Sequence, residues 1–223
     1  MQADTDRAVS HDGDIVRIDG KPVRMDHMVR DAFWANALLS AGRLDEGTAV
    51  LDHALDVWPA HPTLWQMRYK FLLFSGRPRA AAAFALDPDT RPSGLDQREI
   101  DLRIRLAKAA ETRASAEVET SIGDFQRLAF EDIASVPFAA AVFALLGRPD
   151  LTFASLERYY FNEGAFGRSS PVSAMTRRYT KELFSLPLVP LRSDPQFAAI
   201  LGRVGLEDYW RQTKTTPDFR RTA

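Results

Sequence analysis

From residue 28 onward the apolar positions recur every three to four residues, the spacing of helices that bury one face. In the first such stretch Phe33, Trp34, Ala37, Leu38 and Ala41 share that face, and Gly42 offers a residue at which the helix can stop. Leu44, Val50, Leu51, Ala54, Leu55 and Trp58 predict a second helix ending before Pro59, so an antiparallel pair joined by a short turn is expected. "TLWQMRYKFLLFSG" predicts a third helix ending at Gly76, and "RPRAAAAFALDP" a short return helix stopped by Pro88. Farther along, "LDQREIDLRIRLAKAAE" and "AEVETSIGDFQRLAFED" predict two helices broken near residues 112–115. "SVPFAAAVFALLG" and "DLTFASLERYYF" form the next pair, and the Gly- and Ser-rich "NEGAFGRSSP" is a loop before a helix over 172–186, closed by Pro187 and Pro190.

The two ends read differently. Residues 1–27 are expected to be a flexible lead with one short hairpin, because "IVRI" and "KPVR" flank Asp19-Gly20, a dipeptide suited to a two-residue turn. Near the other end Asp194 is placed as an N-cap with Pro195 in the first turn, Phe197, Ile200, Leu201 and Val204 make an apolar face, and Gly205 stops the helix. Tyr209 and Trp210 are expected to seal the last pair, with Gln196 and Arg203 facing water.

The turns also repeat. "GRLDEGTAVL", "GRPRAAAAFA" and "GRPDLTFASL" begin at Gly42, Gly76 and Gly147; the first two glycines are 34 residues apart and the third follows after 71, close to two such periods. A fixed period of this length signals a helical repeat architecture. From Asp31 to Pro62, Ala35, Leu38, Gly42, Ala54 and Pro59 stand where the tetratricopeptide (TPR) pattern has its small, large, turn, small and proline positions, with Gly47 in place of the usual alanine. Trp65, Leu72, Gly76 and Ala81 continue the register, while Tyr69 fills a normally small position whose bulk the run Ala80–Ala83 could house. The chain thus resembles a TPR protein. The stretch "PLRSDPQFAAILGRVGLEDYW" with "PDF" at 217–219 is similar to the C-terminal end of bacterial TPR proteins that often carry a winged-helix DNA-binding domain; with fewer than 30 residues before the first helix, that domain is not expected here.

The resemblance implies an all-α, TPR-like α-solenoid of about four pairs with C-terminal capping helices. Residues 28–163 would form the pairs, and residues 164–223 the loop and caps of the same domain. The first helix of each pair would line a concave groove, exposing Ala32, Asn36, Leu39 and Ser40, then Gln66, Lys70, Leu73 and Phe74. A helical pair cannot bury both faces alone, so stacked pairs share a core and leave an extended surface for a partner.

Composition narrows the function. The 45% apolar and 26% charged residues describe an ordinary folded chain, and a net charge of -1 gives no long-range pull toward nucleic acid or anionic membrane. The absence of cysteine excludes disulfides, thiolate metal sites and a cysteine nucleophile. No secretory signal or membrane span is legible, which fits a cytoplasmic location.

Candidate chemistry is sparse. Asn36 in "ANALLSAG" resembles the asparagine of carboxylate-clamp TPR domains, but Ala32 stands where a lysine is expected and Met67 where a second asparagine would be. His11, His27, His53 and His61 lack the spacing of a helical zinc site. "GAFGRSS" offers backbone amides and Arg168 to an anion but lacks the lysine of a nucleotide-binding loop. Arg177-Arg178 with Lys181, and Arg220-Arg221, suit a solvated charged face better than an RNA-binding one, and Trp34, Trp58, Trp65 and Phe74 read as core. Glu99 with Arg103 and Asp101 with Arg105 are spaced for ion pairs along one helix. No nucleophile, base and orienting group come together, so the expectation is no enzyme, no cofactor and no metal. The expected role is a non-catalytic scaffold binding a peptide or helix of a protein partner whose identity, like the oligomeric state, is left open. The alternative is a regulatory or sensory module working with a transcriptional or signalling partner, without a DNA-binding domain of its own.

Overall fold

A computed structural model describes residues 15–18, 21–24, 27–163 and 179–220, with the backbone alone at 15–29. Residues 1–14 of the expected flexible lead, the "GAFGRSS" loop with Arg168, Arg177-Arg178, residues 172–178 of the helix expected over 172–186, His11 and Arg221 lie outside them. The chain is predominantly helical and divides into two compact units, one reaching to Ile100 and one beginning at Asp101. That divide was not part of the expected scheme of one continuous domain.

The first unit opens with an antiparallel hairpin, β1 (Ile15–Ile18) and β2 (Lys21–Arg24), with Ile18 paired to Lys21 so that Asp19-Gly20 alone connects the strands. Four helices follow: α1 (His27–Ser40), α2 (Leu44–Val57), α3 (Pro62–Phe74) and α4 (Pro78–Leu86). Helix α1 packs on α2 and α3, α2 packs on α3, and α3 packs on α4. In the second unit α5 (Gln97–Thr112, entering from the first) and α6 (Ser115–Glu131) precede α7 (Val136–Leu145) and α8 (Pro149–Phe161). Two 3-10 segments, Thr180–Phe184 and Leu186–Leu191, lead to α9 (Pro195–Val204) and α10 (Leu206–Thr213). The part of the expected 172–186 helix that is described is therefore 3-10 rather than α. Pro187 and Pro190 follow closely and supply no backbone N–H to an α-helical ladder.

One turn is built three times. After α1, α3 and α7 the glycines Gly42, Gly76 and Gly147 take φ of 73°, 78° and 80°, a backbone region open to glycine at little cost. The arginine after each glycine donates its N–H to the carbonyl five residues back, Arg43 to Leu38, Arg77 to Leu72 and Arg148 to Phe143, at 2.9, 3.0 and 2.8 Å. The glycine N–H donates to the carbonyl three residues back each time, which completes the Schellman pattern that satisfies the last carbonyls of a helix. Each turn starts the return helix at the next residue, Leu44, Pro78 or Pro149, giving the pairs α1–α2, α3–α4 and α7–α8.

Arginines from elsewhere in the chain also reach helix ends. Helices α4, α6 and α7 carry no basic residue in their last turn. Arg91 donates to the carbonyls of Ala85 and Leu86 (3.0 and 2.7 Å), Arg158 to Phe130 (3.1 Å) and Arg113 to Leu145 (2.6 Å). A guanidinium at these positions fills the orphan acceptors and opposes the negative end of the helix dipole. Arg158 is 2% exposed, and burial pushes its pKa below the ordinary value.

Helix α7 is the centre of the second unit. Its Val136, Ala139, Ala140, Ala141, Val142 and Phe143 are all buried, as expected of a helix apolar around its circumference, and α6, α8 and the 186–191 segment pack on it. Arg105, expected to pair with Asp101 along α5, instead reaches α6 and donates to Asp124 at 2.8 Å.

Candidate functional site

The residues expected to line a groove sit on α1 and α3, which pack against each other. Their i, i+4 spacing makes one row of Asn36 and Ser40 on α1 and another of Gln66, Lys70 and Phe74 on α3, and all five are half-buried. The Ser40 hydroxyl donates to the Asn36 carbonyl at 3.0 Å, so it is held along its own helix. Leu39, expected in the groove, is only 4% exposed, and Ala32 and Leu73 are buried with it. These three belong to the core and leave the polar rows as the accessible part.

The reason lies in which face α1 buries. The sequence suggested Phe33, Trp34, Ala37, Leu38 and Ala41; the structure buries Ala32, Ala35, Leu38 and Leu39, and leaves Phe33 50% and Trp34 52% exposed. A helix turns about 100° per residue, so a stripe centred on Ala32 and Ala35 points Phe33 and Trp34 away from it. Two alanines let α2 and α3 approach α1 closely, which bulky rings in their place would prevent. Around the displaced rings lies a cavity of about 550 Å³, lined among the described residues by Arg30, Asp31, Phe33 and Trp34.

Close approach recurs at Gly47 on α2. A Cβ built there would lie 2.4 Å from Phe71 Cε2 and 2.6 Å from Phe71 Cζ, so the missing side chain is the space that the ring of α3 occupies. This accounts for glycine where the resemblance led one to expect alanine. Tyr69 is fully buried and stacks on Trp65, with ring centroids 6.3 Å apart and planes 13° from parallel. Of the alanine run on α4 only Ala81 is buried, together with Ala85 beyond it, whereas Ala80 and Ala83 are exposed. Trp65 lies in the core as expected, Trp58 and Phe74 at its margin, and Trp34 outside it.

Other polar side chains of this unit serve its packing. His61 caps α3, its Nδ1 accepting from the Thr63 N–H at 3.2 Å, and His53 is exposed on α2. Arg68 on α3 pairs with Asp52 on α2 at 2.9 Å, and burial lowers the arginine's pKa against that partner's pull. Among the described residues no group of three or more His, Asp or Glu is placed to hold a metal ion, and no helix is long and apolar enough to cross a membrane. Comparison of the chain with protein-family models, curated proteins and solved structures returned no match.

At the other end of the chain the sequence reading of α9 holds in detail. Asp194 accepts from the Gln196 N–H at 2.8 Å, Pro195 opens the helix, Phe197, Ile200 and Leu201 are buried, and Gly205 closes it at φ 88°. Tyr209, expected to seal the last pair, is instead 57% exposed, while Trp210 one residue on turns inward. The seal is made by an aromatic cluster that also takes in Phe184 and Phe219, two residues that helical periodicity could not bring together.

Proposed function

We propose that the chain is a non-catalytic protein–protein interaction scaffold whose helical pairs are TPR-like and stack as an α-solenoid. In this reading α1 and α3 are the first helices of consecutive pairs and hold a peptide or helix of a partner protein. The observation that carries it is the packing of α1 on α3 behind two chemically matched turns, with Asn36 and Ser40 on one helix and Gln66, Lys70 and Phe74 on the other all half-buried. Amide, hydroxyl, ammonium and aromatic groups in half-buried rows suit recognition of an extended backbone with a few anchoring side chains. Turnover would need a nucleophile or acid–base pair in a pocket, whereas His61 caps α3 and Arg68 and Asp52 pair between helices.

The test is affinity purification of the wild type beside Asn36→Ala combined with Lys70→Ala. Both positions are half-buried at the surface, so the helical circular dichroism is expected to be unchanged while partner proteins recovered with the wild type are lost. Recovery of the same partners at the same yield would move the binding surface away from α1 and α3.

A further inference from the structure

Beyond α10 the segment from Lys214 to Arg220 folds back as a strap, and its hold on the second unit is concentrated at its far end. Lys214 takes a left-handed backbone, φ 54°, which ends α10 and reverses the chain. Along the middle the contacts are thin: the Thr215 N–H donates to the Trp210 carbonyl at 3.1 Å, and Thr215 and Thr216 are exposed. A cavity of about 240 Å³ lies between α10 and the strap, lined by Glu207, Trp210 and Arg211 on one side and by residues 215–217 and Arg220 on the other.

The last turn, Asp218–Arg220, is anchored by two side chains. The Phe219 ring lies 5.6 Å from Phe184, 6.0 Å from Trp210 and 6.4 Å from Phe197, centroid to centroid, the last two in edge-to-face geometry. Arg192 places its guanidinium 5.6 Å from the Phe219 centroid while donating to the Phe184 carbonyl at 3.0 Å, and its Nε is buried without a partner among the described residues. Arg220 donates through Nη1 to Glu207 at 3.0 Å, forms a second bond to the same carboxylate through Nη2, and lies 5.2 Å from the Trp210 centroid.

We infer that this is a peptide-recognition site filled in cis by the chain's own strap, and that its partner in trans is a segment in which an aromatic residue is followed directly by a basic one. The chemistry is that of a two-point lock: a slot with aromatic walls for one ring and an acid on its rim for one cation. A plain apolar face would accept any hydrophobe, whereas Glu207 rejects segments that leave its charge unpaired. The strap adds the Phe219 edge to the cover over Phe197, while its middle is exposed beside a cavity, so its attachment rests on Phe219 and Arg220. While attached, the strap competes at an effective concentration on the order of millimolar, so the site is closed to weak ligands and opens to a partner that binds more strongly or pulls the strap away. The site lies in the second unit and is independent of the α1–α3 reading.

The probe is a fluorescein-labelled peptide, TKTTPDFR, matching residues 213–220, titrated by fluorescence anisotropy into three full-length proteins: wild type, Phe219→Ala and Arg220→Ala. Phe219→Ala empties the slot and should bind the peptide at least about tenfold more tightly than the wild type, whose own strap competes. Arg220→Ala keeps the ring and loosens only the rim, so it should fall between them and keeps the test available if Phe219→Ala fails to fold. A peptide carrying Phe219→Ala should not bind any of the three. Equal binding to variants and wild type, or no binding to folded variants, would overturn the inference. So would a concentration-dependent dimer of the wild type in size-exclusion chromatography that Phe219→Ala abolishes, because the trans occupant would then be a second copy's strap.

Discussion

Phe33 and Trp34 on α1, and Phe197 and Trp210 on α9 and α10, are aromatic residues on amphipathic helices, yet they meet opposite fates. The first two are half exposed, Phe197 is fully buried, and Trp210 turns in toward Phe184 and Phe219. On α1 the competing stripe of Ala32, Ala35, Leu38 and Leu39 lets two helices approach closely, and a helix embedded on one side can bury only one such stripe. On α9 the small residues Ala198, Ala199 and Gly202 stay exposed while Phe197, Ile200 and Leu201 are buried, and the chain returns through its 3-10 segments and its strap to cover the rings. Which apolar residues enter a core is thus decided by what the neighbouring helices can approach, and ring size alone is a poor guide.

The comparison can be broken by mutation. Phe197→Ala empties a fully buried position in the aromatic cluster and should cost about 3–5 kcal/mol in urea denaturation of the full chain. Gly47→Ala tests close approach in the first unit directly, because the added methyl meets the Phe71 ring at 2.4 Å. It should cost about 1–3 kcal/mol even though alanine is the better helix former, and an equal or higher denaturation midpoint would show that α2 and α3 can separate freely. Trp34→Ser, which removes a ring larger than that of Phe197, should change stability by no more than about 0.5 kcal/mol; a loss as large as that of Phe197→Ala would place Trp34 in the core and erase the contrast.

Much of the helical plan was legible because its punctuation is chemical. Glycine at positive φ, proline in the first turn and Asp194 at an N-cap act locally, so Gly42, Gly76, Gly147 and Gly205 ended helices where the sequence placed the ends. What periodicity misjudged depends on residues distant in the chain. The buried face of α1 is set by α2 and α3, Gly47 is explained by Phe71, and the guanidinium closing α7 comes from Arg113 ahead of α6. The candidate site shows the same division. Asn36, Ser40, Gln66, Lys70 and Phe74 form accessible rows because i, i+4 spacing is local, whereas Leu39 was lost to the core through a contact that its own helix does not encode. The strap was visible only as the short string "PDF", since the Phe184 and Glu207 that receive it are separated from it in sequence.

The central claim is that a partner lies along α1 and α3. A photoreactive benzoylphenylalanine placed at Lys70 on α3, and in a second protein at the exposed Asp45 on α2, tests it in the producing cell. The account predicts a discrete crosslinked protein from position 70 that is lost on adding Asn36→Ala, and none from position 45. A crosslink from position 45 with none from position 70 would contradict it.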